Sequence, residues 1–172
     1  ILRIVLLLTI NDETRFLAND SYLYKESALT ILSSGTFSLS REFSDIPMLI
    51  RTPGFPIFIA IIYKIFGDRD LFLIMSNIII SCLSIILVHK ILKSIASIMT
   101  TKIGTSLYAF EPLSISLIYY VLPQILFQFL IFLIIMFSLR IINNHFSSNN
   151  WFILGLLLSF SSIVKPVSFY LI

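Results

Sequence analysis

Long apolar runs recur along this chain, and they decide what it can fold into. Leu71 to Val88, Val121 to Leu139 and Trp151 to Val164 carry no charged side chain, and the last run continues past Lys165. A run of about 18 apolar residues can cross the hydrocarbon layer as a helix, and only helices and closed barrels satisfy their own backbone there. Charged residues make up 12% of the chain and hydrophobic ones 58%, against roughly a quarter charged in soluble domains. Mean hydropathy is +0.99. The predicted fold class is all-α, a polytopic transmembrane helical bundle with an external loop carrying juxtamembrane helices.

One partial transmembrane domain is expected over 1–172, with an external loop at about 11–69. Membrane helices are expected at about 1–10, 70–92, 103–119, 121–142 and 151–172. The chain opens Ile1-Leu2-Arg3 and stops within an apolar run at Tyr170-Leu171-Ile172, so both ends read as cuts through helices. Cys82 is the lone cysteine, which rules out an intrachain disulfide. The bases do not cluster with aromatics in any polar segment, so nucleic acid is not an expected partner; membrane lipids are.

Charge distribution supplies an orientation. From Asn11 to Arg51, six acids face four bases, leaving −2. Later connections are basic: His89, Lys90, Lys93 and Lys102, then Arg140 and His145. Short cytoplasmic loops are enriched in Lys and Arg, so the acidic loop belongs outside the cell or inner membrane and the basic connections inside. For that parity to hold, Pro53 to Phe66 cannot span. At about 1.5 Å per residue it would make roughly 21 Å of helix, with Lys64 inside it, and it reads as a juxtamembrane helix.

Within the loop, Ser21 to Ser34 reads as a helix, with Asp20 at the N-cap position and Gly35 just past its end. Tyr24, Ala28, Ile31 and Leu32 fall on one stripe expected to be covered. Thr36 to Ile50 lacks periodicity and reads as a surface loop.

Two blocks stand out: Asp20-Ser21-Tyr22-Leu23-Tyr24, running on to Gly35, and Arg51-Thr52-Pro53-Gly54-Phe55-Pro56, running on to Phe66-Gly67. Together they resemble the first external loop of the GT-C membrane glycosyltransferases, in the branch of the dolichyl-phosphate-mannose protein mannosyltransferases and bacterial aminoarabinose transferases. In that pattern an Asp precedes a Tyr by four residues and a Gly by fifteen, as Asp20 precedes Tyr24 and Gly35. An Arg/Lys-x-Pro-Gly-Tyr/Phe-Pro block then opens a short helix ending Phe-Gly. The resemblance implies a polyprenyl-phosphate-linked sugar donor, a lipid or protein acceptor, and a catalytic role for Asp20.

Independently of the resemblance, a carboxylate at a helix start by the membrane surface can take a proton from an incoming hydroxyl or amine. It can equally cap the helix. Asp12-Glu13 is a competing acidic pair, but its spacing to Gly35 breaks the pattern. Arg51 offers a planar fork of donors for the donor phosphate or simply snorkels to water; Lys64 and Lys165 are weaker candidates for the same task. Tyr24 and Gln124 complete the expected substrate contacts, with Glu111.

Gln124 is also a departure. In Pro123-Gln124-Ile125-Leu126-Phe127 it stands where the resembled family commonly has a second acid. A neutral amide is a poor ligand for a divalent cation and no base, which leaves metal dependence, and activity itself, open. Glu111, before Pro112, either replaces that acid or marks an interfacial helix end. Asn77, Ser81 and Ser84 form a polar stripe suited to helix–helix contact. The rival to a glycosyltransferase is a non-catalytic or transport-type polytopic protein of polysaccharide export or assembly, although transporters usually place their polar groups at the midplane.

Overall fold

The computed structural model describes residues 20–40, 46–143 and 148–167. The expected first helix at 1–10, the Asp12-Glu13 pair and His145 lie outside them. Among the described residues the regular structure is helical, in seven segments. They are α1 (Ser21–Ser34), α2 (Gly54–Phe66), α3 (Asp70–Ile95), α4 (Ile98–Ala109), α5 (Pro112–Leu117), α6 (Gln124–Ile142) and α7 (Ser148–Val164).

α3 and α6 are long and apolar enough to cross a membrane, and they form the spine of the bundle. They run parallel. Near their starts, Leu73 packs in one cluster with Leu126 and Leu130, and Ile74 and Ile78 in another with Ile125. At their far ends, Lys90, Ile91 and Ser94 face Met136, Leu139 and Arg140 across a shared cleft. The return path between them is α4, which lies back along α3. His89 Nδ1 and Thr105 Oγ1 are 3.3 Å apart, and Tyr108 meets Phe132 edge-on in the middle of α6. α7 runs antiparallel to α6, since Lys165 just past its end lies over the ring of Phe127 near the start of α6. Ile79 and Ile86 on α3 are 59% and 51% exposed, an arrangement suited to hydrocarbon rather than water.

The expected helix at 103–119 is broken. Pro112 has no N–H and disfavours α geometry in the residue before it, and Glu111 accordingly sits at φ −62°, ψ 115°. The turn that follows α5 is held from α3: Asn77 Nδ2 donates to the carbonyls of Ile118 (3.2 Å) and Tyr120 (3.4 Å). Asn77, Ser81 and Ser84 are all buried, as a helix-contact stripe requires. The helix expected over 151–172 ends instead at Val164, because Pro166 biases Lys165 away from the helical region; residues 168–172 lie outside the described set.

α1 has the expected bounds. Gly35 adopts φ 71° and its N–H bonds to Ile31 O, the left-handed ending that glycine accepts without strain. Its buried face differs from the expected stripe. Tyr24 and Ala28 are covered, Ile31 is half-covered and Leu32 is exposed, while Ser21, Ser27 and Thr30 are fully buried. The reason is the loop that follows. Ser27 Oγ donates to Ser38 O (3.2 Å), and Thr30 Oγ1 accepts from Ser38 N (3.4 Å). Hydroxyls thus satisfy loop backbone that would otherwise be buried without partners. An antiparallel bridge, Ser38 with Pro47, closes that loop.

Candidate functional site at the loop end of the bundle

The two sequence blocks meet. α1 brings Asp20 and Tyr24 to one end of the bundle, and the turn into α2 brings Arg51 and Phe55 against them. Arg51 Nη2 lies 2.7 Å from Asp20 Oδ1. The Arg51 guanidinium stands over the Tyr24 ring at 5.5 Å, and that ring meets Phe55 edge-on at 5.2 Å. Phe55 is 2% exposed, so the platform under the guanidinium is rigid.

Asp20 holds the N-cap position but makes no side-chain cap bond. Its carboxylate turns to Arg51 and stays half-exposed, at 50%. Capping therefore does not explain this residue. An ion pair so open to water is worth only about 0–1 kcal/mol, so a ligand can break it at little cost. Arg51 Nε is buried and has no hydrogen-bond partner among the described residues. Burial raises the Tyr24 phenol above its usual value and Asp20 adds to this, while Arg51 opposes by charge and hydrogen bonding. Tyr24 is a neutral hydroxyl beside the pair.

The turn that carries Arg51 is anchored on α7. Thr52 Oγ1 donates to Val164 O at 3.1 Å. Pro53 and Pro56 open α2, where a missing N–H costs nothing. Gly54 is required by contact rather than by dihedral: a Cβ there would lie 2.7 Å from the backbone of Ile163 and Val164.

Sequence reasoning missed Asp70. As the first residue of α3 it accepts from Lys25 Nζ and from Tyr63 OH, both at 2.8 Å, so one carboxylate joins α1, α2 and α3. Burial, then the Asp70 hydrogen bond, pushes the Tyr63 phenol far up. The available signal was an acid opening a long apolar run, where the helix dipole favours it.

Gln124 and Glu111 are placed differently from the trio. Gln124 begins α6, half-buried, and its Oε1 is buried with no partner among the described residues. Glu111 spends its carboxylate on the start of α5, accepting from Leu113 N (2.9 Å) and Ser114 N. Lys165 lies over Phe127 near the start of α6, whereas Lys64 is exposed near the end of α2. Among the described residues no three His, Cys, Asp or Glu side chains converge as a metal site would require. With an amide at position 124, these residues do not fit a divalent-ion centre.

A family model described as dolichyl-phosphate-mannose-protein mannosyltransferase matches residues 50–172. The match takes in Arg51, the Pro-Gly-Phe-Pro turn and Asp70, and begins after Asp20 and Tyr24. No curated protein and no solved structure matches the chain.

Proposed function

Since the chain belongs to the dolichyl-phosphate-mannose-protein mannosyltransferase family, one of membrane glycosyltransferases using polyprenyl-phosphate sugars, we propose that it moves a hexosyl group from such a carrier to a lipid or protein acceptor at the external face. The observation that carries this reading is the Asp20–Arg51 pair on its Tyr24–Phe55 platform. A phosphodiester is a better partner for a guanidinium than a solvated carboxylate, because it can take two parallel donors. The arriving donor draws Arg51 to its phosphate and releases the Asp20 carboxylate. The acceptor oxygen or nitrogen then attacks the anomeric carbon, its proton passes to Asp20, and the sugar–phosphate bond breaks. Polyprenyl phosphate departs with the electron pair, and the configuration inverts. Gln124 turns its amide to a sugar hydroxyl in this reading, which gives its buried Oε1 the partner it lacks among the described residues. Glu111 caps α5 and takes no part in the transfer.

Orientation follows the charges. The parallel α3 and α6 gather Lys90 and Arg140 at one end, while Asp70 opens α3 at the other. By the positive-inside rule, the protein is a multi-pass protein of the plasma or inner membrane with its Asp20 end external.

The test is Asp20→Asn in the full-length protein, assayed for transfer from a polyprenyl-phosphate sugar. Loss of a general base costs about two to four orders of magnitude in rate, whereas Asp12→Asn should change little. Near-normal turnover of Asp20→Asn overturns the assignment. Gln124 in place of an acid is the one observation favouring a non-catalytic or transport-type relative, and a wild-type protein that binds the donor without transferring sugar would establish that reading instead.

A further inference from the structure

The end of the bundle opposite Asp20 carries a second constellation. Between the last turns of α3 and α6 lies a cleft of about 270 Å³, lined by Lys90, Ile91, Ser94, Met136, Leu139, Arg140 and Asn143. Two cations reach it from different helices. The Arg140 guanidinium lies over the Phe137 ring at 5.2 Å, which steadies it while its donors stay available. Among the described residues no acid pairs with these charges: between Leu71 and Ile172 there are five Lys and Arg but a single carboxylate, Glu111, which caps α5. Cations at helix ends also complement the helix dipole, but that effect requires neither a shared cleft nor apolar walls.

We propose that this cleft binds an anionic diacyl phospholipid, with its headgroup phosphate between Lys90 and Arg140. Ile91, Met136 and Leu139 form a wall for the glycerol and upper acyl carbons, and Asn143 adds amide donors at the rim. The chemistry recognised is a phosphodiester. A lipid rather than a free phosphate is the occupant because Ile91, Met136 and Leu139 give the cleft an apolar wall and it lies between two helices of membrane-spanning length. Basic pockets between membrane helices are known to take such headgroups. The site is independent of sugar transfer, so a protein without transferase activity can still satisfy it.

The experiment is native mass spectrometry of the purified full-length protein titrated with dioleoyl phosphatidylglycerol. Phosphatidylcholine of the same chains and inorganic phosphate serve as comparison ligands. Phosphatidylglycerol should bind in preference to phosphatidylcholine, and millimolar phosphate should not displace it. Lys90→Gln and Arg140→Gln should each weaken binding about fivefold, the worth of one cation near a lipid phosphate. Arg140→Lys should stay near wild type, which keeps the site testable if Arg140→Gln misfolds. Lys93→Gln, a basic residue outside the cleft, should change little. Equal retention of phosphatidylcholine, displacement by phosphate, or equal weakening by Lys93→Gln would each overturn the proposal.

Discussion

Asp20 Oδ1 and Arg51 Nη2 are 2.7 Å apart, so the proposed base rests against the group proposed to receive the donor phosphate. Each holds the other ready, and neither does its chemistry while paired.

If the donor is what separates them, Arg51→Gln should act chiefly on donor binding. Its KM for the polyprenyl-phosphate sugar should rise about tenfold or more, the value of one charge-assisted contact. Arg51→Lys should recover part of this, because a point charge replaces a fork. Steady-state kinetics with varied donor would check it, and an unchanged KM in Arg51→Gln would remove Arg51 from the donor site.

Gly54→Ala forces a Cβ into the backbone of Ile163 and Val164 at 2.7 Å. Backbone cannot rotate away as a side chain can, so α2 must shift off α7. A loss of about 1–3 kcal/mol is expected from overpacking, seen as a lower melting temperature, with activity falling as Arg51 moves. Wild-type melting in Gly54→Ala would show that the contact yields.

Asp70→Ala leaves the Tyr63 hydroxyl and the Lys25 ammonium without their shared acceptor. Stranding such donors costs about 1–3 kcal/mol. Hydrogen exchange should locate the loosening in α1 and α2 rather than along α6.

The two raised phenols give a pH dependence on the alkaline side. Tyr24 and Tyr63 keep their protons in the fold above the ordinary value of 10.0, mainly through burial. Their contribution to stability is therefore complete below pH 10 and is lost as pH climbs from there through the folded values. Tyr63→Phe should flatten part of that decline in thermal melts, and an identical profile would remove Tyr63 as a source.

Orientation is checked by labelling in intact cells after Cys82→Ser. Ser40→Cys should react with an impermeant maleimide and Lys93→Cys should not. The reverse pattern would invert the bundle.

The sequence carried α1 to the residue, because Asp20 and Gly35 bracket one apolar-containing run and Gly35 alone tolerates the left-handed turn. It carried the long helices because an uncharged run of that length has few other fates. It did not carry the buried face of α1. Periodicity ranks side chains by apolarity, whereas Ser27 and Thr30 are buried for hydrogen bonds to a loop eleven and eight residues away. Nor did it separate capping from ion pairing at Asp20, since Arg51 arrives from a distant turn. Asp70 was hidden for the same reason. Its partners Lys25 and Tyr63 belong to different elements, and no local pattern links them.

The docking of Thr52 and Gly54 onto Val164 also fixes an order of events during synthesis. Arg51 leaves the ribosome more than a hundred residues before the carbonyl that anchors its turn, and elongation at about 5–20 residues per second makes that an interval of roughly 5–20 s. Throughout it the loop and α2 lack that support. Assembly of the Asp20 end therefore follows the synthesis and docking of α7, and a nascent chain stalled before Ile163 should be cut by proteases in this loop more readily than the finished bundle is.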